Sequence, residues 1–385
     1  MNHGPFAEPY PRFTRAEMDR RRGLLEAAMS AEGVTHLVVY GANRVGSAVG
    51  WLTNWSATRE ALVLVEPGER DVLLVQFYNH VPNAREVAAE ADVRWGGPSS
   101  IATAAGMLGD RSARRVGTIG PLPGRARDAL AAVAPVVELD RAYTEARQVK
   151  SGEEIDFLRV GARLTDAGME ALAKTARDGV AEHHLAAAVE AAYRPSGAVN
   201  HIHYFGTTPM SDPARCVPAQ YQSNGRVARG DVLTAEISAS YWDYAGQILR
   251  TFAVEAEPTP LYSELHEVAE AAFDAVCGVL RDGATCWDVV DSAGVIEDAG
   301  FTIYDDLLHG FGGGYLPPVL GTRSRTNEEV PDMRFRAGMT VVVQPNVITR
   351  DESAGVQTGE LVLITEDGCE PLHSFERGFL RAPVG

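Results

Sequence analysis

Cysteine is scarce in this sequence: Cys216, Cys277, Cys286 and Cys369 are the four in 385 residues. None stands in a C-x-x-C or similar pairing, which argues against a cysteine-bound metal centre and against a disulfide framework. They read as small buried residues of a reducing compartment. No apolar run approaches the roughly 20 residues that a membrane helix needs. The N-terminal MNHGPFAEPYPRFTRAEMDRRR has no apolar stretch to serve as a signal peptide. The expectation is a cytoplasmic protein without membrane contact. Positive charge is also short, with 35 Lys and Arg against 52 Asp and Glu, a formal charge of −17. Phosphate binding needs a basic stripe, so no nucleic-acid partner is expected, and the acidity reads as solubility. Short repeats, low-complexity tracts and long linkers are missing too.

What remains is globular. Hydrophobic residues make up 45% and charged residues 23%, and the length suits two domains or one large one. Residues 13–32 read as an amphipathic helix with a basic face. THLVVYG, ALVLVEPG and DVLLVQFY are short Val- and Leu-rich runs bounded by turn residues, and read as strands. Alanine-rich segments near 84–91, 101–107 and 124–134 read as helices between strands, an α/β alternation. From about residue 148 the pattern changes. Ser151 followed by Glu154 has capping-box spacing ahead of a long amphipathic helix. Further helices are predicted at 181–193 and 261–281, with strands around 231–254, 339–349 and 355–366. Long helices segregated from antiparallel strands indicate α+β. The expected division is 1–147 and 148–385.

Four segments carry the chemistry: GDVLTAEISASYWDYAGQILRTFAV, LLHGFGGGY, GMTVVVQPNVI and GVQTGELVLITEDG. The first reads as a hairpin turning near Trp242 and Asp243, which brings Glu236 and Gln247 close across the pair. TAEIS sets a carboxylate inside an apolar strand, where an unpaired charge is costly. In LLHGFGGGY the glycines let backbone approach a ligand closely around His309.

In order and spacing these segments resemble the metal-binding strands of the pita-bread family of methionine aminopeptidase, aminopeptidase P, prolidase and creatinase. The resemblance implies an α/β creatinase-like N-terminal domain and an α+β pita-bread C-terminal domain. Metallopeptidases of that family place Asp, Asp, His, Glu and Glu on two divalent ions. The matching positions here are Glu236, Gln247, His309, Gln344 and Gly359. Glu360 would enter only by a one-residue slip, which on a strand reverses every side chain, so it is read as pointing away. Tyr315 or Leu316 stands where those enzymes keep a proton-handling His. One metal-site carboxylate is left, and amides are poor ligands for hard divalent ions. No metal and no other cofactor is therefore expected.

The resemblance implies instead a metal-free C–N hydrolase, as creatinase and ectoine hydrolase are. SGAVNHIHYFGTTPM matches the segment that carries creatinase's proposed acid/base. His203 is the best match for that role, with Glu236 as charge anchor. His201, two residues away, shares its face if the stretch is extended. Gln247, His309, Gln344, His201 and Tyr204 are assigned to a small-molecule substrate. Arg59 matches an Arg that reaches a substrate carboxylate across a homodimer, a task suited to its planar fork. Alternatives on the same scaffold are a lyase or decarboxylase, a residual Xaa-Pro-type metallopeptidase, and a non-catalytic binding module.

Overall fold

The computed structural model describes residues 9–43, 45–326 and 329–382. Residues 1–8, part of the stretch read above for a signal peptide, lie outside the described residues. The chain divides into two compact units, Met1–Arg147 and Gln148–Gly385.

The first unit runs α1 (Arg15–Ala31), β1 (His36–Ala42), α2 (Ala48–Thr53), β2 (Glu60–Val65), β3 (Val72–Val75), α3 (Val81–Val87), β4 (Asp92–Trp95), α4 (Ser100–Asp110), β5 (Val116–Ile119), α5 (Gly124–Ala131), β6 (Val136–Glu138) and α6 (Asp140–Gln148). Its strands form one mixed sheet in the order β4-β3-β2-β1-β5-β6. The Val and Leu runs are buried on both faces, which explains their continuous rather than alternating hydrophobicity. Helix α1 starts where the Thr14 hydroxyl accepts from Glu17 N. Its basic face is only partly a solvent face. Arg21 is fully buried, 2.7 Å from Glu17 Oε1, with its guanidinium over the Phe13 ring.

The second unit runs α7 (Gly152–Thr175), α8 (Glu182–Tyr193), β7 (Val199–Pro209), β8 (Asp231–Tyr241), β9 (Tyr244–Ala245), β10 (Ile248–Val254), α9 (Pro260–Val279), α10 (Cys286–Ser292), α11 (Val295–Asp298), β11 (Thr302–Ile303), β12 (Leu308–Phe311), β13 (Tyr315–Leu320), β14 (Thr340–Val343), β15 (Val347–Ile348), β16 (Gly359–Ile364), β17 (Cys369–Pro371) and β18 (Phe379–Ala382). Ser151 caps α7 with the complete capping box to Glu154. The ten-stranded sheet has the path β13-β12-β14-β16-β10-β8-β7, with β17, β18 and β9 attached to β16, β10 and β8. The hairpin after β8 turns at Trp242 and Asp243, both with positive φ (50° and 67°), the two-residue turn whose twist matches that of strands.

Alternation along β8 sorts its side chains. Leu233, Ala235, Ile237 and Ala239 pack with Met169, Leu172, Leu185 and Val189 of α7 and α8. Thr234, Glu236 and Ser238 therefore project from the other face. A second core, with α9 and α10, takes Val341 and Val343 of β14 and Val362 and Ile364 of β16. Among the described residues no helix is long and apolar enough to cross a membrane.

Candidate active site

Glu236, Gln247, Gln344 and His309 converge from four segments on the face opposite the helices. Gln247 follows the turn after β9, where the chain is pressed against α7. A Cβ on Gly246 would stand 2.5 Å from Ala162 Cα, so only glycine permits that approach. Gln247 Nε2 donates to Glu236 Oε1 at 2.7 Å and reaches Gln344 Oε1 at 3.3 Å. Gln344 Nε2 in turn donates to the Asp306 carbonyl at 3.3 Å. The two amides thus tie β8, β10 and the end of β14 into one chain of hydrogen bonds. Glu236, Gln247, Gln344 and His309 are all buried.

Burial, with Asp305 adding to it, raises the Glu236 carboxyl to about 8, against the hydrogen bond from Gln247 that lowers it. His309 is driven the other way, to about 4, again by burial. Its Nδ1–H donates to the Gly310 carbonyl at 3.2 Å, which leaves the lone pair on Nε2. That Nε2 and Gln247 Oε1 are buried without a hydrogen-bond partner among the described residues. Tyr315 stacks on the His309 ring, with centroids 3.8 Å apart, and Phe311 meets it edge-on at 5.6 Å. Tyr204 is paired in register with Glu236 and so shares its face; burial and the Glu236 charge raise its hydroxyl.

His203 does not join this group. It pairs with Ile237, a residue of the helical core, so it lies on the opposite face from Glu236. Asn200 Nδ2 donates to its Nδ1 at 3.1 Å, and Nε2 bonds the Tyr193 hydroxyl at 3.1 Å. Burial lowers its pKa to about 4, away from neutrality rather than toward it. The assignment of His203 as acid/base partner of Glu236 is therefore corrected: it is a satisfied core histidine. The cause is a bulge between Asn200 and Ile202, which inserts a residue and breaks the expected alignment of positions 201 and 203. His201 is exposed, with its ring 5.9 Å from Phe311. A His203→Ala variant is expected to lose about 1–3 kcal/mol of stability, through lost packing and an unpaired Tyr193 hydroxyl, with turnover unchanged. Urea unfolding and kcat on the same sample check this; a hundredfold fall in kcat at unchanged stability would return His203 to the mechanism.

Gly359 takes the place read above for the last carboxylate, on the same face as Leu361, which pairs with Val342 as His309 does. Glu360 lies on the other face. It is buried and pairs with buried Arg250 at 2.5 Å. Arg59, in the N-terminal unit, is exposed, with its guanidinium 5.8 Å from the Phe77 ring centroid.

Two groups escaped the reading of the sequence. Asp305 is exposed, and its charge is felt by Glu236 and His309. Asp306 is buried, and burial together with the neighbouring Asp305 pushes its carboxyl up. The available signal was the pair of acids in YDDLLHG, a few residues ahead of His309.

Residues 156–366, more than half of the chain, match the model of metallopeptidase family M24, and the chain belongs to that family. An Xaa-Pro dipeptidase of Pyrococcus furiosus is 26% identical over 244 residues, 63% of this chain and 68% of the relative. A putative dipeptidase of Bacillus subtilis is 23% identical over 64% of this chain and 66% of its own length. Among solved structures, an Xaa-Pro dipeptidase from Bacillus anthracis superposes with a TM-score of 0.81 at 20% identity, covering 94% of this chain and 99% of that one. The prolidase of Pyrococcus horikoshii gives 0.79 at 20% identity, over 94% and 100%. The fold is thus an α/β N-terminal domain followed by a pita-bread domain.

The family name implies metal, and the donor set here does not fit a dinuclear centre. Of the five positions only Glu236 is a carboxylate. Gln247 Nε2 already supplies the positive contacts to Glu236 and Gln344 that an ion between them would supply. Gly359 has no room for a side chain: a Cβ there would stand 2.2 Å from the Val343 carbonyl oxygen. Asp305 and His309 do not replace the missing charge, since hard divalent ions favour several anionic oxygens.

Proposed function

We propose that this protein is a metal-independent hydrolase that cleaves a C–N bond in a small, amino-acid-like substrate carrying an amide, amidine or guanidino group. One observation carries the reading. Gln247 Oε1, beside the Glu236 carboxyl, is a buried acceptor without a donor, and His309 Nε2 has none of good geometry although the Gln344 side chain lies close enough to raise the His309 pKa. Buried polar atoms are costly unless paired, so such a site favours a ligand rich in N–H groups.

In this reading Glu236 moves the proton. With a pKa of about 8 it holds both forms near neutral pH, as a general base and acid requires. The carboxylate takes a proton from water as the oxygen adds to the substrate carbon. The same proton then passes to the departing nitrogen, so the C–N bond breaks and an amine or ammonia leaves. Gln247 and His309 accept from the substrate's N–H groups. Tyr204 and His201 border the site, and Tyr315 holds the His309 ring in place by stacking. Arg59 of a second copy is proposed to hold a substrate carboxylate, which makes the working unit a homodimer.

Elemental analysis is expected to find no stoichiometric divalent ion, and a chelator to leave turnover intact. Two tightly bound ions per chain, or activity lost to chelator and restored by zinc, manganese or cobalt, would sink the metal-free reading. A thermal-shift screen of guanidino, amidine and N-acyl amino acids identifies the substrate class, since a ligand of the native state raises stability by mass action. The likeness to an Xaa-Pro dipeptidase favours a second reading, a residual Xaa-Pro peptidase. Cleavage of Xaa-Pro dipeptides with added manganese, without response to the N–H-rich compounds, would favour that reading.

A further inference from the structure

Cys277 and Cys369 are 92 positions apart in sequence, yet the Cys369 thiol reaches Cys277. Cys277 lies in the last turn of α9 and Cys369 opens β17, paired with Ile364 of β16. Cys369 Sγ lies 3.6 Å from the Cys277 carbonyl oxygen, toward which it donates, and the closeness of the two side chains raises the Cys277 thiol and lowers the Cys369 thiol. Both are half-buried, so a small oxidant can reach them while the surrounding fold holds them together. This corrects the expectation that all four cysteines are small buried residues. Only Cys216 and Cys286 are buried, and burial pushes both of those thiols up.

We propose that Cys277 and Cys369 are a redox modification site that closes to a reversible disulfide on reaction with a hydroperoxide. The thiolate of one cysteine attacks the peroxide oxygen. The O–O bond breaks, an alcohol or water leaves, and that cysteine becomes a sulfenic acid. The sulfur of the other then attacks the sulfenic sulfur, the S–S bond forms and water leaves. Overall two thiols and one hydroperoxide give one disulfide, one water and one alcohol, or two waters when the oxidant is hydrogen peroxide. A dithiol reverses the step by exchange. Their proximity raises the Cys277 thiol and lowers the Cys369 thiol, so Cys369 is the more readily ionised and the first to react.

The bond would staple the end of α9 to the β16–β17 hairpin. It closes a loop of 92 positions that includes β12, β14 and β16, so it removes much freedom from the unfolded chain. Its formation is independent of the reaction proposed for the site around Glu236.

The test uses the full native chain. After hydrogen peroxide and alkylation, peptide mass spectrometry is expected to find a Cys277–Cys369 linkage, with Cys216 and Cys286 still reduced. Dithiothreitol should remove the linkage. The oxidised form should melt several degrees above the reduced one, a shift absent from Cys277→Ser and Cys369→Ser. In Cys277→Ser, dimedone should trap a sulfenic acid at Cys369. Failure to link at a peroxide dose that oxidises surface methionines overturns the proposal. Linkage only after unfolding in urea, or equal linkage to Cys216 or Cys286, does so as well. If the serine variants fail to fold, Cys277→Ala and the wild-type peptide map decide the matter alone.

Discussion

Replacing Glu236 by Gln is expected to lower kcat by about a hundredfold or more, the usual loss when a general acid–base is removed. The amide is nearly isosteric and can still accept from Gln247 Nε2 through its oxygen, so the fold should persist. The same variant has a signature in stability that needs no substrate. The folded-state pKa of Glu236 is about 8, above its reference value of 4.5. As pH rises between those values the unfolded chain gives up the proton first, so the native state binds more protons and stability falls. Below about pH 4.5 both states are protonated, and above about pH 8 both are ionised. The loss across that window is at most on the order of 5 kcal/mol for this group. Glu236→Gln should remove that slope, becoming more stable relative to wild type as pH rises from about 5 to about 9. Parallel urea-unfolding curves against pH check the direction. If the two proteins keep a constant difference, Glu236 is ionised throughout and is not the proton carrier.

A side chain at position 359 is expected to cost about 3–5 kcal/mol even for Gly359→Ala. Two causes add. The backbone there has a φ of 153°, a region essentially reserved for glycine. The added Cβ would stand 2.2 Å from the Val343 carbonyl oxygen and 2.8 Å from Gln344 Cα, both backbone atoms that cannot swing aside. The obstruction falls on Gln344, so any folded Gly359→Ala should also bind ligand less tightly. Gly359→Glu restores the carboxylate of the metal-binding relatives in sequence only, and is expected to fold poorly and recruit no metal. Thermal and urea unfolding read the first effect, and elemental analysis of the soluble fraction the second. A Gly359→Ala variant with wild-type stability would mean that β14 and β16 do not approach as described. A folded Gly359→Glu variant that holds two ions would mean that the site is a metal centre lacking one ligand.

Much of this protein is decided locally. Ser151 and Glu154 specify the start of α7 because a capping box satisfies backbone donors within one turn. Trp242 and Asp243 make the hairpin turn that brings Gln247 back toward Glu236. The parity of β16 separates Gly359 from Glu360, and the period of a strand leaves no freedom in that choice. The order of these segments is enough to place the chain in its family, and their residue types leave one carboxylate, Glu236, among the five positions compared.

Other features depend on contacts that no local pattern encodes. The bulge at 200–202 is set by pairing along β7 and β8, and it turns His203 to the helices while His201 stays beside Phe311. A single unpaired residue reverses the faces of all that follow, so alternation read from sequence fails there. Glu360 finds Arg250, Asp305 comes near Glu236, and Cys277 meets Cys369, each across long stretches of chain. Even the role of Gln247 is tertiary: the sequence supplies an amide, and only the assembled sheet brings it against Glu236. Long-range pairs follow from how strands and helices close on one another, because a buried polar group must take its partners from whatever that closure brings near.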